Sequence, residues 1–158
     1  MEIVEAKIDD SEILTQITKL SKAYWGYSDE QIEDWSELLT ITKNYIETNH
    51  VYKLLVDNMT IGYYSYIILN ENEVKFDNLF ILPNYIGRGY GKVLMFDFLN
   101  KLQNSEIKKV ILDSEPNAER FYKQFGFIKV GQLETSIKGR FLPIMELAIN
   151  KSTHLKTD

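Results

Sequence analysis

Pro83-Asn84-Tyr85-Ile86-Gly87-Arg88-Gly89-Tyr90-Gly91-Lys92 stands between a strand-like run and a helix-like one, and the fold turns on how it is read. Upstream, residues 74–82 have strand composition and are stopped by Pro83. Downstream, Leu94, Met95, Phe98, Leu99 and Leu102 fall on one helical face. Glycines at a helix start let successive backbone N–H groups close around an anion, and the helix N-terminus adds about half a positive charge behind them. Phosphate is the natural guest. The common nucleotide loops fit poorly. A P-loop has its first glycine where Ile86 stands and Ser or Thr where Val93 follows the lysine. A dinucleotide fingerprint needs its third glycine at Lys92 and a parallel βαβ setting, whereas this loop follows a meander. A glycine-rich turn with no ligand is the plain alternative.

Working outward, residues 2–8 are β-prone, and Asp9-Asp10-Ser11 opens a helix with Ile13, Ile17 and Leu20 on one stripe. It ends near Tyr24-Trp25-Gly26-Tyr27. Ser28-Asp29-Glu30 opens a second helical region, broken once, that runs through Trp35, Leu38, Leu39, Ile41 and Ile46 to Asn49-His50. Residues 51–56, 61–69 and 74–82 form an antiparallel meander around the turns at 57–60 and 70–72. After the glycine loop and its helix come a short strand at 109–114, a helix at 117–125 stopped by Gly126, and a final hairpin of 127–135 with 141–149. No repeat or linker interrupts this order, so a single domain at 1–150 with a polar tail at 151–158 is expected.

Composition bounds the function. The 158 residues, 44% apolar and 13% aromatic, match one ordinary domain with a sizeable core. Without cysteine there are no disulfides, thiolate nucleophiles or Cys-type zinc sites, which favours a cytoplasmic setting. Eighteen Lys and Arg against twenty-three Asp and Glu give a net charge of -5, which disfavours general attraction to nucleic acid or anionic membrane. The start, Met1-Glu2-Ile3-Val4-Glu5, lacks a signal-peptide pattern, and no apolar run approaches the roughly 20 residues of a membrane span. His50 and His154 are too few and too far apart in sequence for a triad or metal site, so no metal is expected.

A second segment narrows the choice: Val110-Ile111-Leu112-Asp113-Ser114-Glu115-Pro116-Asn117-Ala118-Glu119-Arg120-Phe121-Tyr122-Lys123-Gln124-Phe125-Gly126-Phe127. Together with the glycine loop it resembles the GNAT superfamily of N-acetyltransferases. That family's phosphate loop reads Gln/Arg-x-x-Gly-x-Gly/Ala, and its later helix reads Asn-x-x-x-x-Phe-Tyr-x-x-x-Gly-Phe or a close variant. The element order from the first strand to Ile149 is also that family's. Ile86 departs from the pattern where Gln or Arg is usual, losing a side-chain contact but no backbone donor. The resemblance implies a mixed α/β fold: a mostly antiparallel seven-stranded sheet with two splayed parallel strands, 74–82 and 109–114, and helices on both faces.

It also implies acetyl-CoA as co-substrate, with the pantetheine arm between the splayed strands. Leu79 and Ile81 match the backbone contacts to that arm, and Asn117 matches a side chain that hydrogen-bonds it, unless it is a plain helix cap. The pyrophosphate would lie on the amides of Gly87, Arg88, Gly89, Tyr90, Gly91 and Lys92, with Arg88 and Lys92 adding charge-assisted contacts. Tyr122 matches the family tyrosine that protonates the departing thiolate, against the alternative of a core residue. Asp77, mid-strand, is a candidate base, and Glu115 is the second candidate. The family binds its acceptor between the first two helices and at the last hairpin turn. These supply Tyr24, Trp25 and Tyr27, whose rings can wall a pocket or receive a cation, and Ser136, Lys138 and Arg140. The implied reaction is direct acetyl transfer to a primary amine of a small molecule or peptide, and a homodimer is left open. A non-catalytic acyl-CoA-binding sensor of the same fold is the alternative.

Overall fold

The computed structural model describes residues 1–135 and 140–150. Its elements are strand β1 (Glu2–Glu5), helices α1 (Ser11–Tyr24), α2 (Asp29–Asp34), α3 (Ser36–Leu39) and α4 (Lys43–Thr48), strands β2 (His50–Val56), β3 (Met59–Ile68) and β4 (Glu73–Ile81), helix α5 (Tyr90–Gln103), strand β5 (Lys109–Asp113), helix α6 (Glu119–Lys123), and strands β6 (Ile128–Glu134) and β7 (Phe141–Ala148). The strands form one seven-stranded sheet in the order β1-β2-β3-β4-β5-β7-β6. β1 with β2, β2 with β3, β5 with β7 and β6 with β7 pair antiparallel. β4 pairs with β5 in parallel through Glu73↔Lys109, Val74↔Val110 and Lys75↔Ile111. This is the mixed sheet that the family resemblance implied.

Local chemistry sets the turns. Asp57 and Asn58 take φ of 51° and 62° between β2 and β3, the left-handed pair that matches the twist of a two-residue hairpin and that short polar side chains tolerate. Ser28 and Gln31 form a reciprocal capping box at the start of α2, at 3.1 and 3.0 Å.

The helical region after Ser28 breaks twice, not once. Between α3 and α4, Thr40 and Thr42 are extended and Ile41 points into the core. The amide of Ile41 donates to Thr15 Oγ1 at 2.9 Å, and its carbonyl accepts from Ser11 Oγ at 2.6 Å. Side chains of α1 thus satisfy the backbone that a continuing helix would have used. The stripe of α1 also differs from expectation. Leu14, Ile17, Thr18 and Ser21 are buried, while Leu20 is 42% exposed. Thr18 tolerates burial because its hydroxyl meets both the Leu14 carbonyl, at 2.8 Å, and the Tyr63 hydroxyl.

The chain divides into two compact units, the first made of Met1–Tyr66 and Asn78–Phe98, the second of Ile67–Asp77 and Leu99–Asp158. In the first, Ala6, Leu14, Ile17, Ile41, Ile46, Val51 and Tyr63 form one buried cluster. Side chains alternate along β3, so Tyr63 and Ser65 bond to Thr18 of α1 and Tyr45 of α4, while Tyr64 and Tyr66 pack on Phe98 of α5. Helices therefore cover both faces of that strand. In the second unit, Val74, Phe76, Val110, Leu112, Tyr122, Phe127 and Met145 are buried. Its helix α6 is shorter than expected. Pro116–Ala118 form a 3-10 turn instead, and Ala118, not Asn117, stands at the helix start.

Candidate active site

In the first unit, β4 runs into a Pro83–Tyr85 turn and then the glycine loop. Gly87 and Gly89 have φ of 83° and 89°. A Cβ at either would meet nothing within 4 Å, so backbone conformation, not crowding, demands glycine there. The Val93 amide donates to the Gly89 carbonyl at 3.2 Å, closing the first turn of α5. The amides of Tyr90, Gly91 and Lys92 precede it and are the donors that a helix start leaves without intrahelical partners. Residues 83–92 carry Arg88 and Lys92 and no carboxylate. Arg88 lies over the Tyr85 ring, 5.4 Å from its centroid, and the Tyr90 ring meets Tyr85 edge-on. Backbone donors, local positive charge and open space at the glycines together fit the pyrophosphate of coenzyme A.

Leu79 is half-buried and Ile81 buried on the strand leading to this loop. Against Phe80 and Ile81 stands Gly62, which sequence reasoning passed over. A Cβ there would lie 2.9 Å from the Phe80 carbonyl oxygen and 2.6 Å from Ile81 Cδ1. The neighbouring Leu82 amide donates to the Ile61 carbonyl at 2.7 Å, and the β2–β3 register shifts at Leu54/Leu55. Gly62 thus permits a close approach of β3 to the end of β4. An isolated glycine between Ile61 and Tyr63 in a strand was the available signal.

Tyr24 and Trp25 are 52% and 45% exposed and meet edge-on at 5.1 Å, while Tyr27 packs against Trp35. One of these rings already has a cation of the chain against it. Lys22 Nζ lies 5.5 Å from the Tyr27 centroid and 5.7 Å from that of Phe80. A polar set unforeseen from sequence joins three elements: Asn78 Nδ2 donates to Ser65 Oγ at 2.9 Å and to the Tyr45 hydroxyl at 3.3 Å, and the two hydroxyls are 2.9 Å apart.

In the second unit, Tyr122 is 8% exposed and ringed edge-on by Phe76, Phe121 and Phe127. Burial, aided by the nearby Glu115 charge, pushes its phenol above the ordinary tyrosine range, so it holds its proton at neutral pH. Asp77 is half-buried beside Phe76. Asn117 is exposed in its 3-10 turn. The second candidate base and the candidate acceptor contact prove to be partners: Arg140 Nη2 lies 3.1 and 3.3 Å from the two carboxylate oxygens of Glu115. Ser136, Lys138 and His154 lie outside the described residues. His50 stacks on the Tyr66 ring at 4.7 Å. Among the described residues, no group of three or more metal-ligating side chains is placed to hold an ion, and no helix is long and apolar enough to cross a membrane.

A family model described as an acetyltransferase (GNAT) domain matches residues 25–148. The uncharacterized N-acetyltransferase ycf52 of Porphyra purpurea is 41% identical over 49 residues, covering 31% of this chain and 28% of that protein. Its counterpart in Gracilaria tenuistipitata var. liui is 38% identical over 48 residues, covering 30% of this chain and 26% of that protein. The match thus spans under a third of these relatives' length. PaiA N-acetyltransferase from Thermoplasma acidophilum, solved in complex with coenzyme A, has a TM-score of 0.78 at 22% identity over 93% of this chain and 98% of that one. Ribosomal-protein-S18-alanine N-acetyltransferase from Escherichia coli has a TM-score of 0.72 at 18% identity, covering 94% of this chain and 93% of that one. At such identities the likeness speaks for the fold. On the family match and the shared fold, this chain belongs to the GNAT acetyltransferase family.

Proposed function

We propose that the protein is an acetyl-CoA-dependent N-acetyltransferase that passes the acetyl group directly to a primary amine of a small molecule or peptide. The observation that carries this is the left-handed Gly87/Gly89 loop at the start of α5, in a GNAT chain that also buries Tyr122. Acetyl-CoA supplies the thioester, whose carbonyl takes the amine and whose sulfur departs as thiolate. The chain's own groups do the rest. Amides of residues 87–92 hold phosphate oxygens, with Arg88 and Lys92 in support. The backbones of Leu79 and Ile81 pair with the amides of the pantetheine arm, and Asn117 hydrogen-bonds it. Tyr122, as the general acid, donates its hydroxyl hydrogen bond to the departing sulfur, and that bond strengthens as charge grows there. Asp77 takes the amine proton. Glu115, with both oxygens on Arg140, is the weaker candidate for that task. Tyr24, Trp25 and Tyr27 line the acceptor's approach, with Lys22 on the Tyr27 ring. These roles belong to one domain, 1–150, acting in the cytoplasm.

The test is a screen of polyamines, aminoglycosides, amino acids and peptides for release of free coenzyme A from acetyl-CoA. Release that depends on one amine class is expected. Tight acetyl-CoA binding with slow hydrolysis, unchanged by any amine, would replace transfer with acyl-CoA sensing. No binding of acetyl-CoA at all would overturn the cofactor.

A further inference from the structure

Helix α6, which carries Tyr122, has five residues. A helix this short does not hold itself, because isolated helices under about 12–15 residues are marginal in water. Its orientation must come from what anchors each end. The C-terminal end is fixed by the aromatic packing around Tyr122, whose carbonyl also accepts from the amides of Phe125 and Phe127 at 3.0 and 3.3 Å. The N-terminal end hangs from the turn at residues 114–118, which is pinned at several points. The Ser114 amide donates to the Pro143 carbonyl of β7 at 2.7 Å. Ser114, fully buried, donates its hydroxyl to the Glu115 carbonyl at 2.7 Å, and the Ala118 amide donates to that same carbonyl at 2.8 Å. A further pin is the Glu115 side chain on Arg140.

Surface ion pairs often contribute little, but this one differs in two respects. Its side chains are only 21% and 19% exposed, so removing either partner leaves a largely desolvated charge behind. Both backbones are also fixed: the Arg140 carbonyl accepts from the amide and the hydroxyl of Thr135 at 3.1 and 3.0 Å, at the base of the β6–β7 hairpin. The guanidinium therefore starts from a fixed point and ends on the residue that begins the Tyr122 turn.

We propose that Glu115 and Arg140 form a positioning pair that fixes the turn and short helix presenting Tyr122, so that Arg140 serves transfer through Glu115 instead of touching the acceptor. This rests on Tyr122 as the proton donor. The Glu115 charge also holds the Tyr122 proton more tightly.

The experiment compares the full chain with Arg140→Gln, Glu115→Gln, the double variant and the exchanged pair Glu115→Arg/Arg140→Glu. Hydrogen exchange across residues 114–123, kcat and KM for each substrate are measured. For Arg140→Gln, the expected results are exchange about tenfold faster across 114–123, kcat lower by about tenfold, and acceptor KM within about twofold. The exchanged pair should recover much of the protection, which also answers the case in which a single variant folds poorly. A raised acceptor KM with unchanged exchange would make Arg140 an acceptor contact and overturn the proposal. So would parent-like exchange in all of the variants. If the parent acetylates no amine, the proposed activity fails, while exchange across 114–123 still reports whether the pair fixes the turn.

Discussion

Replacing Tyr122 by phenylalanine removes one hydroxyl and keeps the ring that packs edge-on against Phe76, Phe121 and Phe127 at 6.3, 5.3 and 5.7 Å. Folding should therefore change by no more than about 1 kcal/mol. The catalytic effect can be bounded from acidity. An ordinary thiol has a pKa of about 8.5, and the Tyr122 phenol lies above the ordinary tyrosine value of 10.0, so full proton transfer to a relaxed thiolate runs uphill. The useful contribution is then a hydrogen bond that strengthens as charge grows on sulfur. Hydrogen bonds to charged groups contribute about 1.5–3 kcal/mol, which corresponds to a fall in kcat of roughly ten to 150-fold. Acetyl-CoA affinity should stay within about twofold, since the hydroxyl acts in the transition state. Calorimetric titration of acetyl-CoA and steady-state rates on the purified variant measure both quantities. An undiminished kcat would reduce Tyr122 to a core residue. An affinity loss as large as the rate loss would mean that the hydroxyl binds the cofactor instead of helping the leaving group.

Other perturbations probe the remaining parts. Gly89→Val should weaken acetyl-CoA binding by about tenfold or more and Lys92→Ala by less, because the branched residue resists a φ of 89° and crowds phosphate away from the amides; equal losses by titration would mean that side-chain charge, not the amide cradle, holds the phosphate. Gly62→Ala should destabilise the fold by about 1–3 kcal/mol, because its Cβ would lie 2.9 Å from the Phe80 carbonyl oxygen and 2.6 Å from Ile81 Cδ1. An unchanged urea midpoint would refute that close approach. Alkaline stability follows from the tyrosine cluster of β2 and β3. Burial and then Tyr52 push Tyr66 up to about 12, and burial with the Asp97 bond raises Tyr64. Above the ordinary value of 10.0 the unfolded chain releases phenolic protons that the folded chain keeps, so stability should be intact below that value and fall as pH rises toward about 12. Urea midpoints that stay level across that window would contradict it.

What sequence revealed, and what it did not, follows the range of the interactions involved. The glycine loop was legible because its chemistry is local: a strand stop, glycines and a helix start within ten residues. The segment from Asn117 to Phe127 was legible as a family motif, and spacing alone reads Tyr122 as the core residue that its aromatic packing also makes it. The second break after Ser28 was not legible, since it depends on Ser11 and Thr15 reaching Ile41 across 30 and 26 positions. The same holds for Arg140, whose Glu115 partner is 25 positions away. Sequence reads each in a separate role, because it offers no way to see two surface-type residues neutralise each other. Asn78, between Asp77 and Leu79, reads as an ordinary polar strand residue until Ser65 and Tyr45 are found beside it.

Charge makes the same point about scale. The net value of -5 describes no particular surface, because its components are segregated along the chain. Residues 28–37 contain Asp29, Glu30, Glu33, Asp34 and Glu37 with no Lys or Arg, while residues 83–92 hold Arg88 and Lys92 with no Asp or Glu. An anionic cofactor therefore meets local positive charge at the loop despite the overall sign. Of the rings that can wall a pocket or receive a cation, Tyr27 already has Lys22 against it, and the same ammonium lies over Phe80. A cationic acceptor arriving at the Tyr27 face would have to displace an ammonium already seated there, at a cost comparable to its own cation–π gain of about 0.5–2 kcal/mol. The carboxylates of α2 and α3 are exposed, so any attraction they add for such an acceptor would be screened by salt.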